Sequence, residues 1–230
     1  MSPEPRDAKQ ITSELHTLLK GAGIDGPYVL VGHSLGGISM QTYAHRYPEE
    51  VAGVVLVDSS TDPDQFSQRP EARDSDEPQK QRSAVVSQLE RFGISLLARL
   101  GIVRLLSMLD PTSPELPQKQ RAQIDALAPS TRQVTTGALE FVAPTQTRRL
   151  GSLGNKPLAV VTAPKEAEPG WLKHQDKLAT LSTNSIQRVV KGATHASVVY
   201  DRSDSQASSA AIVEVVAAVR NDRPLGLQNP

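Results

Sequence analysis

Hydrophobic residues along the chain follow two patterns, one typical of amphipathic helices and one typical of buried parallel strands. Residues 6–20 repeat apolar side chains at helical spacing and stop at Gly21 and Gly23, which predicts a helix. Continuous apolar runs, as in parallel strands covered on both faces, predict strands at 27–32, 53–58 and 157–162. A fourth strand is predicted at 186–191, where the sheet pattern continues. Helical spacing predicts further helices at 35–47, 170–182 and 205–220. This order is typical of βαβ units and predicts an α/β fold, with flanking helices on a parallel sheet of about four strands.

The middle of the chain departs from this pattern. Residues 61–82 contain three prolines, many charges and almost no apolar side chains, which predicts a loop or hinge. Apolar residues at helical spacing then predict helices in 83–109, 118–128 and 130–142. We interpret 61–152 as an all-helical cap inserted into a core formed by 1–60 and 153–230, although ordinary surface helices would give a similar pattern. The leucine-rich face of the first of these helical stretches either packs onto the core or presents an apolar wall to a substrate.

Composition excludes several kinds of site. The 230 residues include 25 Lys and Arg against 25 Asp and Glu, so zero net charge favours neither nucleic acid nor an anionic membrane surface as a partner. The absence of cysteine excludes disulfides, thiolate nucleophiles and cysteine zinc sites. The first twenty residues are charged and no apolar run reaches membrane-spanning length, so we expect no signal peptide, no transmembrane helix and a cytoplasmic location.

The first candidate catalytic motif is a hexapeptide, Gly-His-Ser-Leu-Gly-Gly, at positions 32–37. It lies between a predicted strand and a predicted helix, and Gly-x-Ser-x-Gly in that setting is typical of the nucleophile elbow of serine hydrolases. Such an elbow is a sharp, strained turn that exposes the serine hydroxyl, so Ser34 is the predicted nucleophile. We expect glycine to be required at both flanking positions, Gly32 and Gly36, because a Cβ there would collide with the neighbouring strand and helix.

A serine needs a base to become nucleophilic near neutral pH, and His195 is the best placed of the five histidines. It follows the last predicted strand in a glycine-containing loop, at the carboxyl end, where sites form in open α/β sheets. A lone loop histidine is more often structural. The upstream elbow and the order of the elements favour the catalytic interpretation here.

The elbow and the histidine are part of a wider similarity. The segments Gly-His-Ser-Leu-Gly-Gly, Tyr-Pro-Glu-Glu-Val-Ala-Gly-Val-Val-Leu-Val-Asp, Lys-Pro-Leu-Ala-Val-Val-Thr and Gly-Ala-Thr-His resemble the α/β-hydrolase superfamily, in particular GHSxGG serine hydrolases with a helical cap. The resemblance extends over nearly the whole chain and implies a triad in the order serine, acid, histidine. An oxyanion donor is expected at the backbone N–H of Leu35. We also place His33 and the single tryptophan, Trp171, in the substrate pocket.

The acid of the triad has three candidates. The family usually carries it after the penultimate strand, where this chain has Glu166 and Glu168 but no aspartate. Some members carry it one strand earlier, where Asp58 ends the run Val-Leu-Val-Asp. We favour Asp58, because a residue directly after a strand is held rigidly, whereas both glutamates lie in a charged loop flanked by prolines. The alternative role for Asp58 is an ordinary cap at a strand end.

The resemblance also implies a core of eight strands, of which the four predicted here resemble the last four. The first four strands, with the loop that supplies a second oxyanion donor, have no counterpart upstream of residue 6. We therefore expect a partial α/β-hydrolase fold whose strand at 27–32 is a sheet edge. An open edge favours strand addition or aggregation, so a homo-oligomer through this edge is a further expectation.

The leading functional hypothesis is a serine hydrolase that attacks a small hydrophobic ester or related acyl substrate through Ser34, with no cofactor and no metal. Thioesterase and acyltransferase activities share the same elbow and stay open. The competing hypothesis is a catalytically impaired remnant or binding protein on the same truncated fold. A nucleotide-binding βαβ protein is disfavoured, because the glycine spacing does not make Gly-x-Gly-x-x-Gly.

Overall fold

The computed structural model describes residues 6–60, 116–127 and 151–226. Contacts divide the chain into two units, one of 8–66 with 145–230 and one of 1–7 with 67–144. The predicted loop at 61–82 and the predicted helices in 83–109 and 130–142 lie outside the described residues. The helical-cap interpretation of 61–152 therefore stays a prediction.

The larger unit alternates strands and helices at its core. Its elements in chain order are α1 (Ala8–Gly21), β1 (Tyr28–His33), α2 (Leu35–Arg46), a 3-10 turn (Pro48–Glu50), β2 (Val51–Val57), β3 (Leu158–Thr162), α4 (Trp171–Ala179), β4 (Ser185–Val189), α5 (Ser197–Tyr200) and α6 (Ser205–Arg220). The smaller unit contains α3 (Gln118–Leu127), before which the Leu116 carbonyl accepts a hydrogen bond from Arg121 Nη2 at 3.0 Å. Six α-helices are thus seen in the described ranges, and those predicted around the strands are confirmed to within a few residues at each end.

The four strands form one parallel sheet in the order β1-β2-β3-β4. The register aligns the carboxyl ends of neighbouring strands, since His33 pairs with Val57, Val57 with Val161, and Thr162 with Val189. This confirms the α/β fold class and the predicted four-stranded parallel sheet. The carboxyl ends of all four strands consequently lie along one side of the sheet, where ligands bind in open α/β folds.

Both faces of the two middle strands are covered, which explains the uninterrupted apolar runs of β2 and β3. On one face, Leu56 and Val160 pack in a cluster with α2 residue Tyr43 and α4 residue Leu178. On the other face, side chains such as Val55 and Val161 pack against α6. Each fully buried side chain of this size contributes about 1.5–3 kcal/mol to stability. The two middle strands, β2 and β3, are therefore the strands most fully supported by packing.

Strand β1 lies at an edge of this sheet and, among the described strands, pairs with β2. Its residue Val31 is 42% exposed. The edge position expected for this strand is thus confirmed for the described sheet. Self-association through that edge stays a prediction.

No helix in the described ranges combines the length and the apolar character needed to cross a bilayer.

Candidate active site

Residues from three neighbouring strand ends meet at the carboxyl side of the sheet. Ser34 follows β1, Asp58 follows β2, and Ala163 follows β3. The loop after β4 carries His195. Because parallel strands are about 4.8 Å apart, the ends of β1 and β4 are separated by three strand spacings, roughly 14 Å. The loop that carries His195 therefore extends across the sheet edge, and its contacts with Asp58 and His33 connect it to the ends of β2 and β1.

Ser34 adopts the strained backbone of a sharp strand-to-helix turn, with φ 54° and ψ −130°. Such a conformation costs a non-glycine residue about 1–3 kcal/mol, which the surrounding structure must supply. Three backbone hydrogen bonds hold it. The Ser34 N–H donates to Val57 O at 3.3 Å, and its carbonyl accepts from the amides of Gly37 and Ser60, each at 3.0 Å.

Helix α2 begins directly after Ser34, at Leu35. The first amides of a helix have no carbonyl partner within the helix, and the helix dipole adds partial positive charge at this end. The Leu35 N–H therefore lies where the resemblance implies an oxyanion donor, one residue after the serine.

The glycines around Ser34 differ in whether the structure leaves room for a side chain. A Cβ on Gly32 would lie 2.6 Å from Gly37 Cα, so the expected collision at Gly32 is confirmed. The same expectation for Gly36 is wrong, because a Cβ there would meet nothing within 4 Å in the described part of the chain. The second close approach is at Gly37, where a Cβ would lie 1.6 Å from Ser59 Oγ. The physical reason is that Gly36 is exposed on the helix surface, whereas Gly37 is buried against the end of β2.

This contrast gives a matched pair of variants. We expect Gly37→Ala to destabilise the fold by about 1–3 kcal/mol, because the methyl group would overpack a buried contact with Ser59. Gly36→Ala is expected to be neutral or to stabilise by about 0.4–1 kcal/mol, since alanine fits an open helical position with less entropy lost on folding. Urea unfolding of both variants measures the difference. Equal midpoints at an unchanged m-value would contradict this account of the elbow.

Asp58 and His195 form the central polar contact of the site. The Nδ1 atom of His195 lies 2.6 Å from Asp58 Oδ2. The other oxygen, Asp58 Oδ1, accepts the Ala163 N–H at 2.9 Å and the Trp171 Nε1–H at 2.8 Å. Asp58 is 2% exposed, while the His195 side chain is 48% exposed. The carboxylate is therefore buried with three donors, and the imidazole extends from it toward solvent.

The charge state of Asp58 follows from these contacts. Burial alone raises the pKa of the carboxyl, but hydrogen bonds from His195, from the Ala163 amide and from Trp171 outweigh it and lower the pKa below its usual value. An ionised carboxylate can only accept hydrogen bonds, so Nδ1 of His195 carries the proton of that contact. The Nε2 atom of a neutral His195 is then free to act as a base.

His33 contacts His195 directly. Its Nε2 lies 2.9 Å from the His195 carbonyl oxygen and must be the donor, and the two rings stack with centroids 4.5 Å apart. Burial lowers the pKa of His33, which favours its neutral form. The structure thus places this predicted pocket residue against the histidine loop, and because His33 precedes Ser34 it links the elbow to that loop.

A cleft of about 370 Å³ opens beside the Asp58–His195 pair. Trp171, Glu166 and Glu168 line it together with both members of the pair. The two glutamates are exposed, and in the described residues the His195 ring makes its carboxylate hydrogen bond to Asp58. Of the three candidate acids, Asp58 is therefore the one that contacts the histidine. Over the same residues, no group of three or more His, Cys, Asp or Glu is arranged to hold a metal ion.

Comparison with known proteins agrees with this architecture. The sequence profile of the family described as "alpha/beta hydrolase fold" matches residues 8–200. The chain belongs to the α/β-hydrolase family. Among solved structures, this α/β hydrolase is similar to an esterase from Thermogutta terrifontis, with 22% identity, a TM-score of 0.59, and coverage of 94% of this chain and 74% of that one.

A second solved structure is that of a candidate lipase from Acinetobacter baumannii, with 18% identity, a TM-score of 0.57, and coverage of 97% of this chain and 71% of the other. At such identities, these structures establish the fold alone. A curated relative, "Probable transporter efuK" of Hormonema carpetanum, is 38% identical over 60 residues. That match covers 25% of this α/β hydrolase and 9% of the relative, so the chain spans under a tenth of that protein's length.

Sequence reasoning missed two contacts of this α/β-hydrolase site. Trp171 was expected at the pocket, where it does line the cleft, but its hydrogen bond to Asp58 was not anticipated. The contact of His33 with the His195 loop was also missed. The available signals were a single tryptophan at the start of a predicted helix and a second histidine beside the nucleophile. Neither specifies a partner that lies more than a hundred residues away in the sequence.

Proposed function

We propose that this chain is a serine hydrolase that cleaves an ester or related acyl bond of a small hydrophobic substrate through Ser34. The observation that carries the proposal is the buried Asp58 carboxylate, hydrogen-bonded to His195 at 2.6 Å and linked through His33 to the strained Ser34 elbow. A strained serine, an oriented imidazole and a buried acid are the three parts that nucleophilic acyl transfer requires.

In the proposed reaction, His195 Nε2 takes the proton from Ser34 Oγ while the oxygen attacks the acyl carbon. The tetrahedral oxyanion accepts a hydrogen bond from the Leu35 N–H at the start of α2. His195 then protonates the leaving alkoxide, which departs as an alcohol and leaves the acyl group on Ser34. Water, deprotonated by His195, attacks this ester. The tetrahedral intermediate then collapses, His195 returns the proton to Ser34 Oγ, and the carboxylic acid departs from the free serine.

Asp58 is assigned as the acid of this triad, in preference to Glu166 and Glu168. Its role is to keep the proton on Nδ1 of His195 and to stabilise the imidazolium that forms when His195 accepts the serine proton. Its lowered pKa supports this role, because the carboxylate stays ionised under the conditions in which His195 acts as a base. The match of residues 8–200 to the α/β-hydrolase family supports a fold on which such a triad can be built.

A fluorophosphonate probe tests the proposal, because it phosphonylates a serine only when that serine is activated. We expect covalent labelling of the wild-type chain, located at Ser34 by peptide mass spectrometry. Labelling should be abolished in Ser34→Ala and strongly slowed in His195→Ala.

A folded wild-type chain that the probe does not label would favour the non-catalytic binding protein instead. If labelling succeeds, assays with p-nitrophenyl esters, with thioesters and with added alcohol acceptors separate esterase, thioesterase and acyltransferase activities. Faster turnover of thioesters, or transfer to alcohol in preference to water, would replace the esterase assignment while keeping the same nucleophile.

A further inference from the structure

The inference concerns Trp171, the first residue of α4 and the only tryptophan of the chain. Its indole N–H lies 2.8 Å from Asp58 Oδ1, and its ring meets the His195 ring edge-on, with centroids 6.4 Å apart and planes at 83°. Trp171 therefore contacts both members of the polar pair, although it is 113 residues from Asp58 in the sequence.

We propose that Trp171 is a positioning residue that orients the Asp58 carboxylate toward His195. This inference rests on the proposed hydrolase function. A buried carboxylate can rotate about its Cβ–Cγ bond, and rotation out of the observed plane would break the hydrogen bonds of both oxygens. The two N–H donors on Oδ1, from Ala163 and Trp171, oppose this rotation and leave Oδ2 facing His195 Nδ1.

The two donors on Oδ1 also belong to the two ends of one loop. Ala163 directly follows β3, and Trp171 begins α4. The two ends of the loop formed by residues 164–170 therefore donate hydrogen bonds to the same carboxylate oxygen, Asp58 Oδ1. Two backbone hydrogen bonds support the loop, one from Lys165 N to Ala193 O in the loop after β4 and one from Trp171 N to Glu168 O, each at 3.0 Å. The indole donor is consequently held by the fold and costs little entropy when it bonds to Asp58.

Trp171 also limits the movement of the base. The His195 ring contacts the stacked ring of His33 and the roughly perpendicular ring of Trp171, with centroid distances of 4.5 and 6.4 Å. His195 is about half exposed, and among the described residues these two rings and Asp58 restrain it. A loose imidazole would spend less time with Nε2 directed at the serine, so losing the tryptophan lowers the rate of chemistry more than substrate binding.

The first measurement does not depend on activity. With one tryptophan, ¹⁵N-labelled protein gives a single indole N–H signal, which we expect downfield and slow to exchange because it donates to a buried carboxylate. In Asp58→Ala this signal should move upfield and exchange faster. In His195→Ala it should keep slow exchange, because Oδ1 and not Oδ2 accepts the indole proton. An indole signal that Asp58→Ala leaves unchanged would overturn the contact.

The second measurement is kinetic. Trp171→Phe keeps the ring and removes the donor, so we expect kcat for a p-nitrophenyl ester to fall about tenfold or more, as for loss of a hydrogen bond to a charged group. KM should change far less, since the lost interaction orients the catalytic groups. Leu172→Ala, at the next and exposed position of α4, is the matched control and should leave kcat within about twofold.

The outcomes separate the two proposals. A Trp171→Phe chain with the kcat of the Leu172→Ala control would overturn the positioning role, whatever the indole signal shows. A wild-type chain that the fluorophosphonate probe does not label would overturn the hydrolase function and any catalytic role for Trp171. The indole signal would then still decide whether Trp171 holds Asp58.

Discussion

Replacing Ser34 by alanine is expected to lower kcat for a p-nitrophenyl ester by about 10⁶-fold, the size of loss seen when the nucleophile of a serine hydrolase is removed. The reason is that no acyl-enzyme can form without the hydroxyl, so the remaining rate comes from water attacking a bound substrate. His195→Ala should cost about as much, because a serine without its base is a poor nucleophile near neutral pH. The measurement is initial hydrolysis rate at saturating substrate.

The two losses should not add. If Ser34 and His195 act as a unit, the double variant should be no slower than either single variant by more than about tenfold. Ser13→Ala in α1 and His174→Ala on the exposed side of α4 are controls of the same residue types and should retain wild-type kcat. A Ser34→Ala chain that keeps a measurable fraction of wild-type turnover would show that another group is the nucleophile.

Asp58→Asn is expected to lower kcat by about 10⁴-fold, the loss typical when the acid of a serine triad becomes an amide. The asparagine fits the same space, but its NH₂ group can donate to His195, which favours the wrong tautomer and places the proton on Nε2. The neutral amide also cannot stabilise the positive charge of the His195 imidazolium in the transition state. The same assay measures this effect, with thermal unfolding used to check that the variant is folded.

The other two candidates for the triad acid, Glu166 and Glu168, provide the control. Glu166→Gln and Glu168→Gln should each change kcat by less than about threefold, because both side chains are exposed and surface substitutions have small effects. Both glutamates line the cleft, so a change in KM would be compatible with the assignment. A large loss of kcat in Glu168→Gln, with Asp58→Asn active, would instead place the acid after β3.

The elements that sequence reasoning predicted best are those with a local physical signature. The apolar runs that became β2 and β3 are buried on both faces, and that burial requires the uninterrupted valines and leucines seen in the sequence. The elbow was equally local, because Gly32, Ser34 and the start of α2 lie within a few residues of one another. Asp58 was favoured from its position directly after a strand, and the structure places it in contact with His195.

The predictions that were wrong or incomplete concern the free space around a side chain and the contacts between residues that are distant in the sequence. Gly36 and Gly37 look equivalent in the sequence, yet a Cβ would be unhindered at one and would overlap Ser59 at the other. Which helix face meets the end of β2 depends on how α2 packs, and no single-residue preference encodes that. The same holds for Trp171, whose indole could have faced the pocket, the solvent or the acid.

The sequence by itself determined the strands and the serine elbow, because each depends on residues that are near one another in the chain. It also identified the base candidate, from the order of the elements along the chain and the presence of the upstream elbow. Only the tertiary structure decided which carboxylate oxygen meets His195, which donors hold the other oxygen, and that His33 joins the elbow to the histidine loop. These contacts join residues more than a hundred positions apart. Their geometry follows from strand order, register and helix packing together, and none of these can be obtained from one segment alone.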